Sequence, residues 1–344
     1  MAAPLLLVTD PRMLDHDPGA DHPESPARLA AITRALRERP IAGAEWAAPE
    51  PAREADLLRV HTPAHLAALT RLRGHQGPVG PDTAVSPESV DAALLAAGAG
   101  VTALRAIHRG DARSAFVLAR PPGHHAKRQR MMGFCLLNNL AVAAAFAREE
   151  LGAQRVLVVD WDVHHGNGTE EIFYERRDVL VFDSHQSPLY PGTGEMDRVG
   201  GGDARGYQVN LPVPAGTGDG DLVALYRGLL EPIAHAYRPD LVLVSAGFDG
   251  HRQDPLGGLD LSERGFAALC GIVRGIAERH AGGRLVLFLE GGYDLPALAA
   301  SAHATAAVLA GAAPPEDPPP GPLAARLLPV FRAHHGLFWP TLRA

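Results

Sequence analysis

Seven short apolar runs narrow the fold of this chain more than any other feature, because they are continuous rather than alternating. They are LLLVTD (5–10), AFVLAR (115–120), RVLVVDWD (155–162), VLVFDSH (179–185), YQVNLPV (207–213), LVLVSAGFD (241–249) and RLVLFLEGG (284–292). A strand with one wet face alternates apolar and polar residues. A strand that is apolar throughout needs cover on both faces, as in a parallel sheet packed between helices. Alanine-rich stretches with helical spacing lie between the runs, at 86–110, 138–152, 221–237, 262–280 and 295–311. Several begin at Ser or Asp and end at Gly, as capped helices do. This alternation, without a repeat period, predicts one doubly wound α/β domain over residues 1–311. The stretch AAPPEDPPPGP (312–322) reads as a stiff proline-rich linker to a C-terminal segment, 323–344, that packs on the domain.

Composition excludes several classes. The net charge is −7 and no basic block is longer than KRQR, which argues against a nucleic-acid partner. Lys127 is the single lysine among 32 basic residues, an arginine bias that points to a GC-rich, bacterial genome. Cys135 and Cys270 form no CxxC and no disulfide framework, so a reducing cytoplasm is expected. The opening apolar run is too short for a signal-peptide core and no run approaches a membrane span, so no membrane partner is expected. Without a GxxxxGK and with one lysine, the chain has no Walker A site.

In an open α/β sheet the ligand sits beyond the carboxyl ends of the strands. Four such ends carry polar chemistry here: PPGHHA after residue 120, DWDVHHGNG after 159, AGFDGH after 245 and EGGYD after 289. Asp162 and His164, two apart on extended backbone, point the same way, as two ligands of one metal must. Asp249 ends another strand and supplies a third donor. One imidazole and two carboxylates with an open fourth position describe a catalytic zinc or ferrous site rather than a closed structural one. His124–His125 follows a strand and a rigid Pro121–Pro122–Gly123 turn, which offers the base that metal-assisted hydrolysis requires. Asp160 and Asn167 flank the ligands and are available to orient it. Tyr293 follows a glycine pair and has a hydroxyl suited to a developing oxyanion. Two other histidine pairs read as bystanders: His334–His335, with no strand or carboxylate nearby, as surface, and His61/His65 as structural packing.

With those motifs in hand the chain resembles the zinc-dependent histone deacetylase-like amidohydrolases, closest in pattern to their class II and bacterial members. DHPESPARL, RPPGHHA, GFCLLNN, DWDVHHGNGT, YPGTGE, SAGFDGHRQDPLGG and LEGGYD occur in order across about residues 5–311. The resemblance implies the arginase/deacetylase fold, a single domain with a mostly parallel eight-stranded sheet and helices on both faces. It implies one Zn2+ on Asp162, His164 and Asp249. It makes His125 the general base and acid, His124 an electrostatic partner held by Asp160, and Tyr293 the oxyanion donor. It implies a structural K+ held by the Asp160 carboxylate, the Ser184 hydroxyl and main-chain carbonyls around Asp162, His164 and His185. An acyl-lysine tunnel would be lined by Gly133, Phe134, Tyr190 and Gly291, with Leu256 at its rim and Arg28 on the acetate exit path. Asn167 stands where class I enzymes carry aspartate, and a neutral amide orients His125 without raising its basicity.

The activity implied is hydrolysis of acetyl or other acyl groups from lysine-type amines by metal-activated water, the partner being an acylated protein, peptide or small acetylated amine. A binuclear ureohydrolase on the same fold would need two further carboxylates where this chain has Gly166 and His251. An acetylpolyamine amidohydrolase or a small-metabolite deacetylase shares the chemistry. A non-catalytic acyl-lysine reader would have lost a ligand, the base or the tyrosine, and all are present. Leu256 favours acyl-lysine, because polyamine-selective relatives carry glutamate at that place. Nothing in the sequence sets the oligomeric state, a dimer or tetramer included.

Overall fold

The computed structural model describes residues 4–343. The apolar runs fold into strands, here numbered with two short ones as β1 (Leu5–Val8), β2 (Ala44–Ala47), β3 (Gly77–Pro78), β4 (Ala84–Val85), β5 (Ser114–Val117), β6 (Val156–Asp160), β7 (Val179–Gln186), β8 (Gln208–Val213), β9 (Leu241–Ala246) and β10 (Leu285–Leu289). Eight of them make one parallel sheet in the order β2-β1-β5-β10-β9-β6-β7-β8, and β3 and β4 form a small antiparallel hairpin. Strands β6, β9 and β10 are buried at every residue, which is why their sequences do not alternate. Helices cover the sheet in two groups: Pro26–Glu38, Glu263–His280 and Leu295–Leu309 in one, Ser89–Arg109 and Asn139–Glu150 in the other.

One sheet strand escaped the apolar-run reading. Strand β2, sequence AEWA, lies at the sheet edge with both its middle residues exposed, so it lacks a continuous apolar signature. The helix expected over 221–237 is three pieces, Asp219–Leu225, a π-helical turn at Tyr226–Leu230, and Glu231–Tyr237. Contrary to the reading that no run approaches a membrane span, Ser89–Arg109 is long and apolar enough by composition. In the fold it is a core helix, with 78% of its most apolar stretch buried. Glycine lets it lie close: a Cβ at Gly98 would overlap the backbone carbonyl of Glu50.

Residues 312–321 have no regular structure, and the helix Pro322–His335 follows. It docks beside Asp219–Leu225, where Asp221 Oδ1 accepts the Ala324 N–H at 2.8 Å. This docking corrects the expectation that His334–His335 is a surface pair. His335 is fully buried, and its Nε2–H donates to the Asn210 carbonyl of β8 at 3.2 Å.

Candidate active site

The four chemistry-bearing strand ends belong to β5, β10, β9 and β6, which are neighbours in the sheet. Their loops therefore open onto one crevice. Asp162, His164 and Asp249 each offer a donor atom there, all within 4.8 Å of one another. His164 Nδ1 lies 3.1 Å from Asp162 Oδ1 and 3.2 Å from Asp249 Oδ2. The other carboxylate oxygens hold backbone: Asp162 Oδ2 accepts Gly291 N–H at 2.8 Å and Asp249 Oδ1 accepts Val163 N–H at 2.9 Å. Asp249 Oδ2, fully buried, accepts no hydrogen bond. Burial opposes a charge on His164, yet the two carboxylates raise its pKa to about 10. Two buried carboxylates with one unsatisfied oxygen, converging on an imidazole, form a donor set that suits zinc, which would take the place of that proton.

His124 and His125 sit side by side with their rings 4.0 Å apart, and opposite partners give them opposite states. His124 Nδ1 is 3.0 Å from Asp160 Oδ2 and the backbone N–H groups of Gly123 and His124 donate to Glu290 Oε2. Burial works against a charge on His124, but the Asp162 and Asp160 carboxylates hold its pKa well above the usual histidine value. His125 is pushed well below it, by burial first and then by the neighbouring His124 and His164. Its Nδ1–H donates to Asn167 Oδ1 at 2.8 Å, because an amide oxygen can only accept, so Nε2 carries the lone pair. The two rings are thus pushed in opposite directions, His124 towards the cation and His125 towards the neutral base.

A cavity of about 260 Å³ opens above them, lined in part by His125, Gly133, Phe134, Tyr190, Leu256, Gly291 and Tyr293. Gly133 has φ 57° and a Cβ there would collide with the His125 ring, so the wall needs glycine at this place. The Tyr190 ring stands at 89° to His125 with centroids 5.1 Å apart. Burial, with the Asp249 and Asp162 carboxylates and against Arg28, raises the Tyr293 hydroxyl well above its ordinary value, which keeps it a neutral donor. Arg28 lies behind this wall, its guanidinium 4.8 Å from the Tyr293 ring centre, donating to the carbonyls of Gly292 at 2.6 Å and Glu290 at 2.5 Å. A larger cleft of about 690 Å³ lies beyond Asn167, but its charges pair with one another, as in Lys127–Glu171 and Arg198–Glu170.

Residues 22–309 match the histone deacetylase domain. The chain belongs to the histone deacetylase family. It is 39% identical over 292 residues to a probable deacetylase of Archaeoglobus fulgidus, covering 84% of this chain and 81% of that protein. It is 42% identical over 282 residues to the histone deacetylase-like amidohydrolase of Pseudomonas aeruginosa, covering 80% of this chain and 73% of the relative. The crystal structure of the HDA15 HD domain superposes with a TM-score of 0.93 at 37% identity, covering 100% of this chain and 97% of that one. Membership of this family makes the protein a hydrolytic enzyme of the deacetylase or amidohydrolase type acting on acetylated substrates.

Of the remaining expected residues, Ser184 donates its hydroxyl to the Asp160 carbonyl at 3.3 Å and lies 2.8 Å from Tyr226 Oη. The His185 ring turns to Asp183, at 2.7 Å. His61 and His65 stack 4.4 Å apart and brace the loop after His125 through the Lys127 and Leu136 carbonyls and the Asn138 N–H. Five acidic residues at the site were not singled out: Glu24, which pairs with Arg28 and Arg120; Glu290; Asp183, which accepts Gly166 N–H at 2.8 Å; Asp254, which accepts Tyr293 N–H at 2.6 Å; and Asp82 in the cavity wall. Asp183 alone had a sequence signal, as a carboxylate inside a buried apolar strand.

Proposed function

We propose that the protein is a zinc-dependent deacylase that removes acetyl or related acyl groups from lysine-type amines. The observation that carries this reading is the unsatisfied Asp249 Oδ2 within the Asp162–His164–Asp249 cluster, beside a neutral His125 and beneath a largely apolar cavity. Zinc held by those three residues would supply Lewis acidity, polarising the acyl carbonyl and lowering the pKa of a water. His125 Nε2 is the atom to accept the water's proton and return it to the leaving amine, while Asn167 holds the ring in the required tautomer. His124, kept cationic by Asp160, lends a fixed positive charge beside the developing negative one. Tyr293 donates its hydroxyl to the oxyanion. Phe134 and Tyr190 grip an alkyl stem, and Arg28 is a fixed cation behind Tyr293 on the path for the released acetate.

Potassium beside this centre would be held by the Asp160 carboxylate, the Ser184 hydroxyl and main-chain carbonyls around Asp162, His164 and His185. Burial and the charge of Asp183 raise the Asp160 pKa well above its ordinary value, against His124, and a monovalent cation relieves that strain. Acyl-lysine is the favoured substrate over acetylpolyamines because Leu256 brings no charge to the rim. The one carboxylate in the wall, Asp82, accepts Gly133 N–H at 3.1 Å and the Thr83 hydroxyl at 2.8 Å.

The test is one assay panel with metal analysis. Purified protein is expected to carry one zinc per chain, to lose hydrolysis on chelation and to regain it with zinc. It is expected to show a higher kcat/KM for acetyl-lysine or longer acyl-lysine peptides than for acetylspermidine or acetylputrescine. An acetylpolyamine that outperforms every acyl-lysine overturns the substrate reading, and full activity after complete metal removal overturns the zinc reading.

A further inference from the structure

The Tyr293 hydroxyl acts only if its backbone is held still, and the loop that carries it has unusual freedom, with two glycines before the tyrosine and Gly292 at φ 121°. The polar backbone atoms of that loop are held from three sides. Arg28 binds the carbonyls of Glu290 and Gly292 from behind, and Asp162 accepts Gly291 N–H from below. The third hold comes from Asp254, in the HRQDPLGG loop. Its Oδ2 accepts Tyr293 N–H at 2.6 Å and Asp294 N–H at 3.3 Å, while its Oδ1 accepts Leu256 N–H at 3.0 Å. Asp254 is itself buried, at 7% exposure, and its own N–H donates to the His251 carbonyl at 2.8 Å.

Leu256 and Tyr293 both line the 260 Å³ cavity, so one carboxylate ties two walls of the substrate tunnel together. Asp294 on the far side caps the helix Leu295–Leu309, with its Oδ1 accepting Ala297 N–H at 2.9 Å. The chain is therefore anchored just past Tyr293 by the helix cap, and Asp254 holds the N–H of the tyrosine itself. We infer that Asp254 is a positioning residue, whose carboxylate fixes the Tyr293 backbone against the Leu256 loop and so sets where the Tyr293 hydroxyl meets the acyl carbonyl. This rests on the deacylase reading with Tyr293 as oxyanion donor.

Asparagine at 254 keeps the volume and one acceptor but turns an NH2 group towards either Leu256 N–H or Tyr293 N–H, replacing attraction by a donor–donor clash. Misplacing a catalytic group by about 1 Å costs up to about 100-fold in rate. Asp254→Asn is therefore expected to lower kcat for an acetyl-lysine peptide about 10- to 100-fold, with KM and bound zinc little changed. A merely structural role would cost the same in any background. The deciding measurement is a double-mutant cycle with Tyr293→Phe. If Asp254 acts through the tyrosine hydroxyl, Asp254→Asn adds less than about 2-fold once that hydroxyl is gone. Equal losses in both backgrounds overturn the inference and leave the deacylase reading intact. A wild-type enzyme inactive on every acyl amine defeats the deacylase reading instead. Asp254→Ser, which removes the two-sided clamp without adding a donor pair, runs through the same cycle should Asp254→Asn fail to fold.

Discussion

The dipeptide His-His occurs three times in the chain, and two of the copies make the sharpest contrast in the molecule. His124–His125 and His334–His335 each place a ring in the interior. Around the first pair stand Asp162, Asp160 and Glu290, which push His124 towards the cation, while burial and the neighbouring His124 and His164 push His125, in the cavity wall, towards the neutral base. Around the second no such carboxylate stands among the described residues. His335 spends Nε2–H on a backbone carbonyl, its Nδ1 finds no partner, and burial pushes its pKa down to about 4. Identical side chains are thus poised for proton transfer in one place and packed in the other. What differs is whether charged neighbours split the pair and whether open space lies in front of it.

The largest effect expected to separate the pairs is on turnover. His125→Ala should lower kcat for an acetyl-lysine peptide by about 10²–10⁴ with zinc still bound, the scale of lost general acid–base help. His335→Ala should leave kcat within about 3-fold and instead lower stability by about 1–3 kcal/mol, through the emptied space and the Asn210 carbonyl left without its donor. Steady-state kinetics and denaturant unfolding of both variants decide the matter, and a His335 variant that loses turnover as severely as the His125 variant breaks the comparison.

A second, smaller effect is in acid. A buried base with a depressed folded pKa takes up its proton in the unfolded chain first. Between about pH 6.5 and about 4 unfolded His335 is charged while folded His335 is not, so stability falls as pH drops through that window and levels off near its lower end. From pH 7 to pH 4.5 this group is expected to remove about 2–3 kcal/mol. A His335→Gln protein should lose correspondingly less over the same range, in parallel urea titrations. An equal loss in the two proteins refutes the assignment. The smallest effect belongs to the rim of the catalytic region. Leu256→Glu should shift kcat/KM towards acetylspermidine by about 5-fold, the worth of roughly 1 kcal/mol from a partly exposed ion pair. No shift in the ratio would show that the rim charge does not select the substrate.

Much of the site was legible because its signals are local. Asp162 and His164 lie two apart just past the end of β6, and continuous apolar runs place each polar motif at a buried strand's end. A bend closed by His164 N–H on Asp162 Oδ1, rather than strand alternation, brings the two together. Strand β2 was not legible, because an exposed edge strand needs no apolar continuity. Nor were the anchors Glu24, Glu290 and Asp254. Each is one acidic residue in a loop or strand end until the fold brings it to Arg120, to the His124 backbone or to the Tyr293 N–H.

By itself the sequence determined which strands are buried, which ends carry donors and in what order the motifs run, since periodicity and composition act over a few residues. The sheet order that makes β5, β10, β9 and β6 neighbours was decided by tertiary structure, and with it the meeting of Asp249 with His164 across some 85 residues of chain. So were the protonation of His124 and the neutrality of His125, because a pKa answers to charges and solvent within a few ångströms, whatever their distance along the chain. The burial of His335 was settled in the same way, by a helix docking on β8.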